Sequence, residues 1–408
     1  MEGGRQPPTV ASAAMSKVLD DDNLLIEILL RVGFPTSLVC AALVCKRWLH
    51  HVSDTDFLRR FRELHPPRLL GFYIDDVSVL ATPRFVPMLP QPPELAAVIR
   101  RASFSLDTSQ GMPASTYYIM DGRNGSIFAE HCDRHQTGYT FGVHKPLCAA
   151  KGMVTVPQFP RHQSQDGSYD LWRKLLSKEQ GDDLSYSYVL VESNEERTKI
   201  MVHVYMLQDG VWCAHPTWVT DRPSPPFWEL EGVLVDNKIY IPAAPKNIMI
   251  LDLMDSSIST ICLPQGVQYG DADTMLSRSD DASHVYLIQV KEFQLRIWLH
   301  KWDNWLLVDT ICLREMFANL RMAECTIEDE HTDVLQICQV GDNVEFVFFE
   351  MGLFVLFLDV KCKTLRKVYE LPKKDEYTGY FICPFKMIWP PIFPALKRDP
   401  SRYAFYSC

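Results

Sequence analysis

The chain has 408 residues, of which 47% are hydrophobic and 23% are charged, a balance typical of folded globular domains. At roughly 100 to 200 residues per domain, this length predicts two or three domains with at least one large core. Asp and Glu outnumber Lys and Arg by 51 to 41, so the formal charge of −10 argues against binding nucleic acid through a basic surface.

The N-terminal segment, residues 1–18, is predicted to be a disordered tail. It lacks the apolar run of roughly 7 to 15 residues that a secretory signal requires. The most apolar stretch of the chain, residues 346–358, is shorter than the ~20 residues that cross a bilayer. The 12 cysteines are scattered without a CxxC pair, which is typical of reduced thiols. We therefore expect a protein of the cytoplasm, the nucleus or both, with no membrane partner.

Residues 19–65 have the apolar spacing of α-helices. Asp22 or Asn23 is a candidate cap for the run LLIEILLRV at 24–32, which carries apolar side chains on more than one face. A second apolar segment follows Pro35, and Asp54 is a candidate cap for a third, amphipathic helix. Fewer than about 50 residues cannot enclose two such helices. Their apolar surface must therefore pack on the following domain or bind a partner.

Three spaced elements of this region together resemble an F-box of the large plant F-box family. They are LLIEILLRV at 24–32, PTSL at 35–38 and LVCKRW at 43–48, and SDTDFLRRFRELHPPRLLGFY follows them. The chain departs from that family at Leu19, which is followed by Asp20 where the family usually has Leu-Pro. The resemblance implies docking on a Skp-family adaptor and, through it, on a cullin-RING ligase. The implied adaptor contacts are Leu24, Leu25, Ile28, Leu29, Pro35, Leu38, Val39, Val44 and Trp48.

From residue 69 onward, short apolar runs alternate with turn signals, a pattern that predicts an all-β domain. Segments 238–264 and 344–372 share one order of features. Each has a strand, a second strand that ends in Leu-Asp, and a third strand that closes on Leu-Pro. The unit recurs at roughly 40 to 50 residues, the blade period of a β-propeller. Six or seven irregular blades fit this region, and a pair of β-sandwiches is the alternative. The runs YIMDGRNGSIF and GVLVDNKIYI also resemble the propeller-like F-box-associated region of grass F-box proteins.

The predicted fold class is α+β multidomain, with a small helical F-box followed by a large all-β, β-propeller-like domain. The predicted boundaries are 1–18 for the tail, 19–65 for the F-box, 66–392 for the propeller-like recognition domain and 393–408 for a C-terminal tail. These domains predict a non-catalytic substrate receptor of a Skp-cullin-F-box ubiquitin ligase, with an unidentified target protein. Two alternatives remain: a propeller enzyme or ligand-binding module with an incidental helical cap, and an F-box scaffold outside a ligase.

The sequence contains no phosphate loop, dinucleotide fingerprint, nucleophile elbow or HExxH motif. We therefore predict no catalytic residue, metal or cofactor. A metal site would have to use His131, Cys132, His135 or His144. The polar sequence around these residues is more typical of a solvated loop than of a metal site. An enzyme would need carboxylates such as Asp271 and Asp273, or Asp280 and Asp281, to converge at a channel mouth.

Overall fold

A computed structural model describes residues 17–76, 82–106, 115–133, 139–148, 153–158, 169–180, 183–194, 198–220, 232–269, 272–279, 282–302, 304–320, 334–372, 380–388, 391 and 393. The chain divides into two compact units. One unit comprises Met1–Arg68 with Lys386–Cys408, and the other comprises Leu69–Phe385. The described part of the first unit is mainly helical, and the described part of the second is built mainly of β-strands. None of the described helices has the length and apolarity that crossing a membrane requires.

The described part of the first unit contains the helices α1 (Asp22–Leu30), α2 (Pro35–Ala42), α3 (Lys46–Val52) and α4 (Thr55–Leu64), and residues 17–20 before them are also helical. Pro35 begins α2, as predicted, because its fixed φ suits a first helical turn. The sequence pattern predicted three helices. The fourth arises because Cys45 is extended, with φ −162° and ψ 167°, and separates α2 from α3.

Aspartate side chains cap two of these helices. Asp54 Oδ1 accepts hydrogen bonds from the backbone N–H groups of Asp56 and Phe57, each at 3.0 Å, which confirms the predicted cap of α4. The cap of α1 is Asp21, one residue before the predicted Asp22. Its carboxylate reaches the N–H groups of Asn23 and Leu24 at 2.9 and 3.1 Å, and so satisfies two donors that the first helical turn leaves open.

The four helices enclose a small apolar core. Its buried side chains are Leu25, Leu29, Leu30, Leu38, Ala42, Leu49, Val52, Phe57 and Phe61. Phe393, from the C-terminal segment of the same unit, packs against this core. Three apolar residues of α1, Leu25, Leu29 and Leu30, therefore face the core of the unit itself.

The second unit contains 24 described strands. In chain order they are β1 (Leu69–Asp76), β2 (Arg84–Pro87), β3 (Ser115–Arg123), β4 (Ser126–Asp133), β5 (Tyr139–His144), β6 (Met153–Val156), β7 (Tyr169–Gln180), β8 (Asp183–Ser193), β9 (Ile200–Gln208), β10 (Val211–Ala214), β11 (Trp218–Thr220), β12 (Val233–Val235), β13 (Lys238–Ala244), β14 (Asn247–Asp252), β15 (Ser257–Cys262), β16 (Thr274–Arg278), β17 (Val285–Lys291), β18 (Gln294–Lys301), β19 (Asn304–Cys312), β20 (Gln336–Val340), β21 (Phe346–Met351), β22 (Phe354–Asp359), β23 (Thr364–Glu370) and β24 (Tyr380–Lys386). Two helices interrupt them, α5 (Pro93–Arg101) and α6 (Arg314–Asn319).

These strands form six sheets, which are the blades of a β-propeller. Blade 1 has the order β2-β1-β24, blade 2 is β3 to β6, blade 3 is β7 to β10 with β11 on β9, and blades 4, 5 and 6 are β12 to β15, β16 to β19 and β20 to β23. The prediction of a propeller is confirmed, with six blades. Blade 1 combines the first two strands of the unit with its last, so the two ends of the unit share one sheet.

Buried apolar clusters join neighbouring blades. One cluster each links blades 2 and 3, 3 and 4, 4 and 5, 5 and 6, and 6 and 1. Between blades 1 and 2, the buried Asp75 carboxylate accepts a hydrogen bond from Ile119 N at 3.0 Å. The ring of blades is therefore continuous, and closing it covers the sheet edges that an open array would expose.

Candidate functional site

The nine residues predicted to contact a partner differ in their exposure. Leu24, Ile28 and Val44 lie on the surface, with 47%, 42% and 62% of their area exposed. Val39 and Trp48 are half-buried. Leu25, Leu29, Pro35 and Leu38 are buried inside the helical unit. In the folded unit these four pack inside, where they support the helices that carry the exposed side chains.

Leu43 is an exposed apolar residue that the sequence pattern did not single out. It is 66% exposed and stands next to Val44 in the connection between α2 and α3. The sequence analysis gave no end for the second apolar segment, so it did not distinguish Leu43 from the residues before it. The helix ends at Ala42. We call Leu24, Ile28, Leu43 and Val44 the apolar surface of the helical unit.

Polar contacts of Arg47 fix the connection that carries Leu43 and Val44. Its guanidinium donates to the carbonyl oxygens of Leu19 and Asp20 at 2.7 and 2.8 Å and forms an ion pair with Asp22 at 2.6 Å. His51 Nε2 lies 2.8 Å from the same Asp22 carboxylate. Arg47 first, and then His51, lowers the pKa of Asp22 below its ordinary value. These contacts hold the start of α3 against the start of α1 and so stabilise both parts of the apolar surface.

The second candidate site is a cavity in the middle of the propeller, with a volume of about 110 Å³. Every blade contributes to its wall through β3, β7, β12, β16, β20 or β24, or through the residues next to them. The wall includes Asp121, Arg123, Lys174, Arg278 and Asp342. We call this cavity the central channel.

Charged side chains cross the channel between blades that are distant in sequence. An Arg123 guanidinium nitrogen lies 3.0 Å from Asp342 Oδ1, and Arg278 Nε lies 3.8 Å from the same oxygen. Arg278 also donates to the carbonyl oxygen of Leu234 at 2.9 Å. These contacts connect blades 2, 4 and 5 with the turn that precedes β21 in blade 6.

Further polar groups of the channel lie on blades 1, 2 and 3. The Asp121 carboxylate accepts hydrogen bonds from Ser177 Oγ and, at 2.9 Å, from Gly122 N. The buried Cys383 lines the same wall, and burial raises the pKa of its thiol, which keeps it neutral near pH 7. Lys174 adds a third cationic group.

The alternative sites considered from sequence are not assembled in the described part of the chain. No metal-binding group of His, Cys, Asp and Glu side chains occurs among the described residues. His131 Nδ1 lies 3.0 Å from Thr140 Oγ1, and His144 Nε2 lies 2.7 Å from the Ser103 carbonyl oxygen. Asp273 does not line the channel. His135, Asp271, Asp280 and Asp281 lie outside the described residues.

Comparison with protein families gives two matches that together cover most of the chain. Residues 21–60 match the F-box domain, and residues 118–393 match a family described as F-box protein AT5G49610-like, beta-propeller. The first match contains α1, α2 and α3 and most of α4, with the whole apolar surface. The second runs from β3 through β24. No curated protein has significant sequence similarity to the chain.

Three solved structures illustrate a remote likeness to this chain. Apo AztD from Citrobacter koseri has 8% identity and a TM-score of 0.31, over 78% of this chain and 98% of its own. A protein of unknown function from Bacteroides thetaiotaomicron has 11% identity and a TM-score of 0.33, over 69% of each chain. A putative 6-phosphogluconolactonase from Bacteroides uniformis has 8% identity and a TM-score of 0.30, over 76% of this chain and 99% of its own. At these scores no functional conclusion follows.

Proposed function

Because the chain belongs to the F-box proteins with an AT5G49610-like β-propeller, we propose that it is the substrate-recognition subunit of a Skp-cullin-F-box ubiquitin ligase. The helical unit binds a Skp-family adaptor, which connects it to the cullin-RING assembly. The propeller binds a target protein. The chain contributes no catalytic residue, and its role is to hold the target near the ubiquitin-charged enzyme, so that proximity accelerates transfer.

The observation that carries this proposal is the apolar surface inside the F-box match. Leu24 and Ile28 are one helical turn apart on α1, and Leu43 and Val44 follow α2. Large apolar side chains with this exposure are typical of surfaces that become buried in a complex. Burial stabilises such a complex by about 25 cal/mol per Å² of apolar area, before the costs of association. Val39 and Trp48 are proposed to extend the contact at its half-buried edge.

A receptor of this kind works in the compartment of its ligase, and we propose the cytoplasm, the nucleus or both. The charge of −10 supports a protein target rather than nucleic acid, because phosphate neutralisation needs a basic surface.

Co-expression with a Skp-type adaptor, followed by size-exclusion chromatography, tests the proposal. We expect the wild-type chain to co-elute with the adaptor. Ile28→Glu should abolish co-elution, because it places a charge in the proposed apolar contact, where binding would bury it. The matched control is Val211→Glu, which puts the same charge on an exposed apolar position of β10 in the propeller and should co-elute as wild type does.

Circular dichroism of each variant verifies that it is folded. A folded wild-type chain that elutes alone would refute adaptor binding. Co-elution of folded Ile28→Glu would refute the assignment of the contact to the apolar surface.

A further inference from the structure

The outer strands of blades 6 and 1 carry a local excess of basic residues. β23 and β2 are edge strands of these blades, each on the side away from the strand that lines the central channel. Residues 359–370 and 84–92, which contain these strands and the turns beside them, hold five basic and two acidic residues, and we call them the basic rim. The basic residues are Arg84, Lys361, Lys363, Arg366 and Lys367. The charge of the rim is therefore opposite in sign to the formal charge of −10 of the chain.

A register shift in blade 6 places Arg366 and Tyr369 on one face of the sheet. Arg366 pairs with Phe357, and beyond the shift Tyr369 pairs with Val355. Phe357 and Val355 belong to the apolar cluster between blades 6 and 1, and cross-strand partners project from the same face of a sheet. Arg366 and Tyr369 therefore both face blade 1, as neighbours on the order of 7 Å apart along the strand.

Arg84 faces the same boundary from blade 1. It pairs with Ile74, which belongs to the same apolar cluster, and its guanidinium carbon lies 5.0 Å from the centre of the Tyr369 ring. Arg366 crosses the boundary in the other direction, because its Nη1 donates to the carbonyl oxygen of Leu89 at 2.9 Å. The Leu89 side chain is 67% exposed. The boundary thus presents two guanidinium groups beside an exposed apolar side chain.

Within the described part of the chain, both arginines contact neutral groups. Besides the Leu89 carbonyl, Arg366 contacts the ring of Phe357, with 5.1 Å between the guanidinium carbon and the ring centre. Of the two carboxylates of the basic rim, Glu370 forms an ion pair with Lys367 at 2.8 Å. Both arginines therefore keep their positive charge beside the edge strands, where a carboxylate can form charge-assisted hydrogen bonds with them.

We propose that the basic rim binds an extended acidic segment of the target protein, which Arg84 and Arg366 hold. The inference rests on the proposed receptor function, because the segment belongs to a target. Carboxylates two residues apart in an extended segment are on the order of 7 Å apart. This separation matches the two neighbouring positions of β23 at which the arginines stand. Acidic residues at alternate positions therefore fit the rim, and an apolar residue between or beside them can contact Leu89.

The charge of the whole chain favours a short acidic segment over a long polyanion. A nucleic acid carries negative charge along its entire length, so the formal charge of −10 repels the part that extends beyond the rim. An acidic protein segment carries its charge only where the rim is basic. The rim therefore attracts such a segment without the opposing repulsion that a polyanion meets.

Fluorescence anisotropy with the full-length chain at low ionic strength tests the basic rim. The probe is the peptide fluorescein-Gly-Leu-Glu-Val-Glu-Leu-Gly, and a reference peptide has Gln in place of each Glu. A single-stranded oligothymidylate with the same label is the second probe. We expect the acidic peptide to bind more tightly than both, with an affinity that falls as salt is added. Arg84→Gln and Arg366→Gln should each weaken its binding about three- to tenfold, because each removes a partly exposed charged donor.

The matched control is Arg296→Gln, on β18 of blade 5. Like Arg366, Arg296 is half-buried, and its guanidinium also contacts a neutral group, the side-chain oxygen of Gln294 at 3.2 Å. This variant should bind the acidic peptide as wild type does. Circular dichroism verifies that each variant is folded.

Four results would overturn the proposal: no binding of the acidic peptide, equally tight binding of the reference peptide or of oligothymidylate, affinity that does not change with salt, or equal weakening in Arg296→Gln. The first three use the wild-type chain and do not depend on the folding of a variant. No adaptor is present in this assay. Its failure therefore leaves adaptor binding untouched, and failure of adaptor co-elution leaves the peptide measurement untouched.

Discussion

The neighbouring residues Ile28 and Leu29 separate partner binding from folding of the helical unit. Successive side chains on α1 point about 100° apart, and here one is 42% exposed whereas the other is 1% exposed. Leu29→Ala removes methyl groups from a closed core and should lower the free energy of unfolding of the unit by about 2–5 kcal/mol. Ile28→Ala removes a side chain that is little more than half buried.

The expected effect of Ile28→Ala on stability is therefore small. Full burial of an Ile side chain contributes about 1.5–3 kcal/mol, so a side chain with 42% of its area exposed loses about 1 to 2 kcal/mol. The higher helix propensity of Ala returns up to ~0.7 kcal/mol of this loss. Adaptor binding should nevertheless weaken about 5- to 30-fold, for a lost contact of 1–2 kcal/mol. The folded fraction of Leu29→Ala should bind with wild-type affinity.

Urea unfolding of the full chain, together with adaptor titration, measures both effects. Circular dichroism at 222 nm reports mainly on α1 to α4, and tryptophan fluorescence reports mainly on the propeller, where most of the nine tryptophans lie. Leu29→Ala should shift only the first transition. The reasoning fails if Ile28→Ala destabilises the unit as much as Leu29→Ala does, or if Ile28→Ala binds the adaptor as tightly as the wild-type chain.

Three further substitutions test other contacts of the fold. Asp54→Ala removes the cap of α4 and should cost the helical unit about 1 kcal/mol in urea unfolding. Gly122→Ala adds a methyl group that collides with Cys383 Sγ between blades 2 and 1. This collision should destabilise the propeller by about 1–3 kcal/mol. The double variant Gly122→Ala with Cys383→Ala should recover part of the loss in melting temperature, because the sulfur is absent. Burial raises the pKa of the Glu130 carboxyl, although Arg173 partly opposes this shift. Ionisation of Glu130 therefore lowers the stability of the folded chain as pH rises through the folded-state pKa. Glu130→Gln should melt at a higher temperature than wild type at pH 7, and the difference should vanish below the ordinary pKa of 4.5.

The blades made of consecutive strands could be predicted because their pairing is local. Segments 238–264 and 344–372, which share the Leu-Asp and Leu-Pro strand ends, form β13 to β15 and β21 to β23, respectively. Each is an antiparallel meander whose turns and alternating apolar runs stand next to each other in the sequence. Blade 1 gives no such signal, because its strands come from residues 69–87 and 380–386. That pairing depends on closure of the ring, and the sequence therefore left six or seven blades open.

The exposed part of the candidate site could be predicted only in outline. Leu25, Ile28 and Leu29 have the spacing of one helical face, but it is Leu30 and not Ile28 that joins Leu25 and Leu29 in the core. When a helix is apolar on several sides, its own periodicity cannot decide which side faces inward. The decision depends on where the neighbouring helices lie, and here the break at Cys45 sets the position of α3 and leaves Leu43 and Val44 exposed.

The central channel shows why a propeller site gives so little signal in sequence. Arg123 and Asp342 are 219 positions apart, and no motif connects them. In a closed ring, each blade contributes an inner strand to one axis, so residues at the same level of different inner strands converge whatever their sequence separation. The converging set then belongs to the ring rather than to any blade. A ligand-binding site of a propeller is therefore sought among residues that share a level of the inner strands rather than among residues that are close in sequence.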